Sequence, residues 1–140
     1  MRPGPDQPGE ALTGEADAAQ GPIVERGELR AAISNAMVAL KKQYYGKGPT
    51  KAKTYLNENY VFCVLEGGLT RNEETLLEAG EAELVRAYRL RFQAVMSKPT
   101  TDAIEKLTGR RVLGYHSQIV FAPERGFEIF VLDETPSAVA

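Results

Sequence analysis

From Leu29 to Tyr44 apolar residues return every third or fourth position. Leu29, Ile33, Ala36, Met37, Leu40 and Tyr44 make one stripe, which predicts a helix from about Glu28 to Tyr45. Lys41 and Lys42 fall in its last turn, where the helix dipole favours positive charge, and Gly46 suits the left-handed residue that closes a helix. The period then changes to two. In "TKAKTYLN" Ala52, Thr54 and Leu56 alternate with Lys51, Lys53 and Tyr55, the pattern of a strand with one exposed face. "NEN" supplies a turn, since asparagine tolerates unusual backbone angles. "YVFCVL", Tyr60 to Leu65, is apolar throughout and predicts a central strand covered on both faces.

"EGGLTRNEE" launches the next helix. Thr70 followed by Glu73 is a capping box, in which two otherwise unpaired backbone donors are satisfied. Leu77, Leu84, Val85, Tyr88, Phe92, Val95 and Met96 are its expected buried face, and Gly80 either lies within one helix or divides it in two. Pro99 predicts a kink or break, followed by a shorter helix from about Thr101 to Thr108 that ends at Gly109. Two last strands, "RRVLGYHSQIVF" and "FEIFVLDE", are joined by the turn-rich "APERG" as a hairpin. The order is α-β-β-α-(α)-β-β. It predicts an α+β fold, a two-layer α/β sandwich with helices on one face of a four-stranded sheet. The sheet is expected to be mixed, because a long helical crossover separates its two hairpins.

Composition adds boundaries to this picture. Residues 1–22 hold prolines and glycines but, beyond Met1, only Leu12 as a large aliphatic side chain, so a disordered acidic tail is expected there. A single domain over 23–135 and a frayed end over 136–140 complete the division. The tail carries Arg2 against Asp6, Glu10, Glu15 and Asp17; with a net charge of −2 for the chain, the remainder is close to neutral. A near-neutral body argues against a dedicated nucleic-acid binder. No apolar run reaches the length of a membrane span, and no apolar segment of a secretory leader follows Arg2. Cys63 is the lone cysteine, which excludes an internal disulfide and points to a reducing cytoplasm.

Candidate chemistry is sparse. His116, the only histidine, sits in a strand beside Ser117, and no partner for a nucleophile–base pair is evident. One cysteine and one histidine do not make the usual zinc set, and the acids from Glu73 to Glu83 lack the spacing of a calcium loop. No catalytic residue, metal ligand or cofactor is assigned. An anion site has more support. Lys47, Lys51 and Lys53 cluster around Gly48 with no acid between Glu28 and Glu58, although "GKGPTK" does not match a phosphate-binding P-loop. Separately, Gly67, Gly68, Leu69 and Thr70 lead from a strand into a helix whose free backbone N–H groups attract anions. The competing reading is structural: the glycines turn the chain, and the lysines protect an edge strand from aggregation.

The blocks "ISNAMVALKKQYYGKGPTKAKTYL", "VLEGGLTRNEETLLEAG", "RLRFQ" and "LTGRRV" resemble the MpsC family across about residues 28–134. The resemblance implies a small soluble bacterial protein, associated in some members with a cation-translocating membrane system, and it brings no catalytic residue to carry over. Family members have a longer uninterrupted helix before "LTGRRV", from which Pro99 departs. The function expected is therefore non-enzymatic and accessory or regulatory. Such a protein works in the cytoplasm, or peripherally at the membrane, through a protein partner and through self-association, without membrane insertion. The alternative is a small-anion or nucleotide-binding module built on the two glycine segments.

Overall fold

The structure, a computed structural model, describes residues 23–136. The acidic segment 1–22 and residues 137–140, expected as a disordered tail and a frayed end, lie outside the described residues. Helix α1 (Ile23–Tyr45) is followed by strands β1 (Lys51–Asn57) and β2 (Tyr60–Glu66), helices α2 (Arg71–Glu78), α3 (Ala82–Val95) and α4 (Ser97–Thr108), then strands β3 (Arg110–Val120) and β4 (Arg125–Pro136). α1 begins five residues before its expected start at Glu28. β4 runs on to Pro136, which pairs with Arg110, one residue into the segment expected to fray.

The architecture is the expected α+β sandwich, but the sheet is antiparallel throughout, not mixed. Its order is β1-β2-β4-β3, and each neighbouring pair is antiparallel. The helical crossover does deliver β3 running in the same direction as β2. β4 then returns between them and pairs with both, so no parallel pair forms.

Local signals place most boundaries. Thr70 accepts from the Glu73 amide while the Glu73 carboxylate accepts from the Thr70 amide, the expected capping box at the head of α2. Gly80, at φ 82°, separates α2 from α3. The second break falls at Met96, three residues before the proline expected to cause it. Pro99 then occupies the first turn of α4, where its missing N–H has no intrahelical partner to lose. Gly109, left-handed at φ 68°, closes α4 as expected. In the first hairpin the left-handed residue is Glu58 (φ 57°), not either asparagine; Asn59 instead donates its side-chain amide to the Leu132 carbonyl.

The main core lies between the helices and one face of the sheet. It joins Ile33 and Met37 of α1 to Val61, Cys63 and Leu65 of β2, Ile104 of α4, and Phe130 and Leu132 of β4. A smaller cluster, Leu69, Val85 and Ile119, sits under α3. Two expectations fail here. β2 is covered on one side only: Val61, Cys63 and Leu65 are buried, whereas Tyr60, Phe62 and Val64 face away from the helices. On α3, Leu84, Tyr88 and Val95 are exposed, and the inward side is Val85, Arg89 and Gln93. The polar Arg89 and Gln93 turn inward because partners wait there: Glu73 of α2 and the Gly68 carbonyl for Arg89, Tyr45 of α1 and Tyr115 of β3 for Gln93.

Candidate functional site

The covered face carries a polar row across all four strands, Thr54, Cys63, Glu128 and Ser117, paired in that order. Lys41 reaches this row because it follows Ile33 and Met37 at successive four-residue steps and so continues the inward stripe of α1. Lys41 is 7% exposed and Glu128 1%. The Lys41 ammonium lies 3.0 Å from Glu128 Oε2, and the Ser117 hydroxyl donates to the same oxygen at 2.8 Å. The Tyr115 hydroxyl donates to Glu128 Oε1 at 2.5 Å and lies 3.1 Å from Gln93 Oε1, while Gln93 Nε2 donates to the Tyr45 hydroxyl at 3.1 Å. One carboxylate thereby ties α1, β3 and β4 together, and α3 joins through the bond of Gln93 to Tyr115.

A second buried pair continues the network. Arg89 grips Glu73 through Nε at 2.6 Å and Nη2 at 2.5 Å, and also donates to the Gly68 carbonyl at 3.0 Å. Its guanidinium lies 3.9 Å from the centre of the Tyr45 ring, with Lys41 Nζ 5.6 Å from the same centre. Burial alone would raise the Glu73 carboxyl, but the bonds from Arg89 and Thr70 outweigh it and hold the group below the usual carboxylate range. For Lys41 the balance is reversed: burial lowers its pKa further than the attraction of Glu128 restores it. Burial also pushes the Cys63 thiol up to about 11, so it is not a thiolate nucleophile at neutral pH.

Between these pairs lies a cavity of about 30 Å³, lined among others by Lys41, Gly68, Arg89, Gln93, Ser117 and Glu128. By the volume a water needs, it has room for about one or two waters. Such a network orders the packing of helices on the sheet. His116 takes no part, since successive strand residues point to opposite faces and its neighbours Tyr115 and Ser117 are the ones that turn toward Glu128.

The two glycine segments proposed from the sequence do meet, at one end of the sheet. Thr50 N–H donates to the Glu66 carbonyl at 2.8 Å, a Cβ on Gly67 would collide with the Thr50 hydroxyl, and one on Gly68 would touch Pro49. Gly48 packs against Val38 and Lys42 of α1. The turn's amides already hold carboxylates: Gly67 N–H donates to Glu124 Oε1 at 2.8 Å and Thr70 N–H to Glu73 Oε1 at 2.9 Å. Leu69 is buried in the smaller cluster and Thr70 caps α2. Lys47 is exposed beyond α1, while Lys51 and Lys53 leave β1 on the opposite face of the sheet from that cap.

Among the described residues, no helix lies over that opposite face. Its side chains form cross-strand rows: Lys51, Glu66, Arg125 and Val120; Lys53, Val64, Phe127 and Gln118; Tyr55, Phe62, Ile129 and His116; Asn57, Tyr60, Val131 and Gly114. The middle is hydrocarbon. Phe62 and Phe127 stack with ring centres 5.7 Å apart, Tyr55 lies 6.1 Å from Phe62, and Tyr55 and Tyr60 are 46% and 50% exposed. Polar and charged residues rim it. Arg125 is 3.6 Å from Glu66, and above β1 the face dips into a depression of about 570 Å³ lined by Lys51, Lys53, Tyr55, Val64 and Glu66. An apolar centre inside a polar rim is the anatomy of a protein interface. The sequence marked these residues as strand formers without showing that one side would stay open.

Residues 25–134 match the family described as "Na+-translocating membrane potential-generating system (MpsC)". The chain belongs to the MpsC family. It is 31% identical over 96 residues to the uncharacterized protein YrhF of Bacillus subtilis (strain 168), which covers 67% of this chain and 79% of YrhF. No solved structure matches the fold. No helix among the described residues is long and apolar enough to cross a membrane.

Proposed function

We propose that this MpsC-family protein is a non-enzymatic accessory or regulatory component of a cation-translocating membrane system, acting through protein contacts on its uncovered sheet face. The observation that carries this reading is the hydrocarbon centre of that face, with Phe62, Val64, Phe127, Ile129 and Val131 only partly buried. Monomeric proteins rarely leave a large contiguous apolar patch in water without a use for it. The family description supplies the membrane system. The partner that fits presents an apolar ridge flanked by acidic side chains, which meet Lys51 and Lys53 at the depression above β1. The protein works at the cytoplasmic side as a peripheral component.

The test is recovery of membrane-embedded components of such a system with the tagged full-length chain, at near-physiological salt. The native chain is expected to retain them, and Ile129→Asp to lose them while its melting transition persists. Equal recovery by the variant removes the sheet face from the contact. Failure of the native chain to retain any component overturns the accessory role.

A further inference from the structure

α3 is amphipathic in the reverse sense. Leu84, Ala87, Tyr88, Arg91, Ala94 and Val95 recur at offsets of three and four along its outer side, and every one of them is exposed. Leu84 is 52%, Tyr88 49% and Val95 77% exposed, while Arg89 and Gln93 are buried beneath. A helix that buries Arg89 and shows Leu84, Tyr88 and Val95 has not completed its packing among the described residues.

We propose that the occupant of this stripe is the α3 helix of a second copy, packed antiparallel about a two-fold axis. The spacing of Leu84, Tyr88, Arg91 and Val95, at steps of four, three and four, is that of a coiled-coil seam. The stripe is complementary to itself in one direction only. Antiparallel pairing about its midpoint sets Leu84 against Val95 of the partner subunit and Tyr88 against Arg91 of the partner subunit, so each ring receives a guanidinium. Parallel pairing would instead set arginine against arginine and glutamate against glutamate. The small side chains of Ala87 and Ala94 allow the close helix approach of such seams.

A contact along a single helix of 14 residues is small, so the dimer is weak and concentration-dependent, with a dissociation constant of about micromolar order. It leaves the uncovered sheet face free, so it is independent of the accessory reading.

The experiment is sedimentation equilibrium of the full chain from about 1 to 200 µM, a range that brackets weak association. The expected result is a mass rising from 15.3 kDa toward twice that value. Val95→Glu is expected to weaken association by about ten-fold or more, the scale of an anchoring interface residue, with no loss of the melting transition. Ile129→Asp, on the sheet face, is expected to leave association unchanged. Double-cysteine Leu84→Cys/Val95→Cys tests the geometry separately: mild oxidation should give a covalent dimer, whereas Leu84→Cys alone should not, and buried Cys63 does not compete. A native chain that stays monomeric throughout, unaltered association of Val95→Glu, or efficient crosslinking of Leu84→Cys alone would each overturn the proposal.

Discussion

The two faces of the sheet invert the usual assignment of residue types. Under the helices, away from bulk water, lies the ion pair of Lys41 and Glu128, flanked by Ser117 and Tyr115. On the side open to water lie Phe62, Phe127 and Ile129. A buried carboxylate is tolerated because three side chains aim donors at it; the hydrocarbon on the open face has no such compensation among the described residues. The difference teaches that the covered face satisfies its own polar groups, whereas the uncovered face and the outer stripe of α3 leave hydrocarbon open among the described residues.

The largest effect should come from breaking the covered side. Glu128→Ala strands the Lys41 ammonium without its carboxylate, and loss of one member of a buried pair costs about 3–5 kcal/mol. Urea unfolding measures it directly. The double variant Lys41→Met/Glu128→Leu, which removes both charges, is expected to recover most of that loss, because two well-packed apolar side chains replace a buried pair at little net cost. If single and double variants are equally unstable, the ion pair is not what makes this face intolerant.

The next effect is pH-dependent and concerns Glu73, gripped by Arg89. Its folded-state pKa is depressed, so the group stabilises the fold fully above its unfolded value of about 4.3. That stabilisation is lost as pH falls through the lower folded value. Urea midpoints taken from pH 6 down to pH 3 should therefore fall for the native chain. Glu73→Gln should start about 2 kcal/mol less stable, from the lost charge-assisted bonds, and show a flatter decline. A parallel decline in both would assign the acid sensitivity to other carboxylates.

How much of this was legible in the sequence depends on what each signal reports. Period-two alternation and the Thr70–Glu73 box are local, and β1, the head of α2 and the end of α4 at Gly109 fall where they were expected. Strand order is not local. The crossover implied a parallel pair, and only the return of β4 between β2 and β3 removes it. Burial was misread for a related reason. The apolar run of Tyr60 to Leu65 and the residues Leu84, Tyr88 and Val95 report hydrocarbon, and hydrocarbon does not state whether its cover lies in the same chain. The buried network left two traces that went unused: Lys41 extends the Ile33–Met37 stripe, and Glu128 is a lone charge within "FEIFVL". The candidate anion residues lie at two turns and along β1; amides of the second turn are held by Glu124 and Glu73, and the Glu124 contact depends on tertiary placement.

On the uncovered face the same kind of substitution should disturb folding far less. Ile129→Asp adds a charge to a partly solvated position, with a cost of about 1–2 kcal/mol to the isolated chain, well below that of Glu128→Ala one residue away. That gap would break down if the face were covered within the chain, since the aspartate would then be desolvated like Glu128. Equal destabilisation by the two substitutions would therefore contradict the one-sided sheet.

The smallest effect on folding belongs to Lys51 and Lys53, and it sharpens the comparison most. Both are exposed on the edge strand, and Lys53 lies 5.2 Å from the centre of the Tyr55 ring. Removing exposed charges of this kind changes stability by about 0.5 kcal/mol or less. Lys51→Ala/Lys53→Ala should thus melt like the native chain. If the lysines steer an acidic partner onto the face, the same variant should recover less of that partner at low salt, and the deficit should shrink as salt screens the native attraction. If they only guard an edge strand, recovery should be unchanged at every salt concentration while the variant aggregates more readily at high protein concentration. The two outcomes separate a contact from a safeguard at positions where stability measurements see neither.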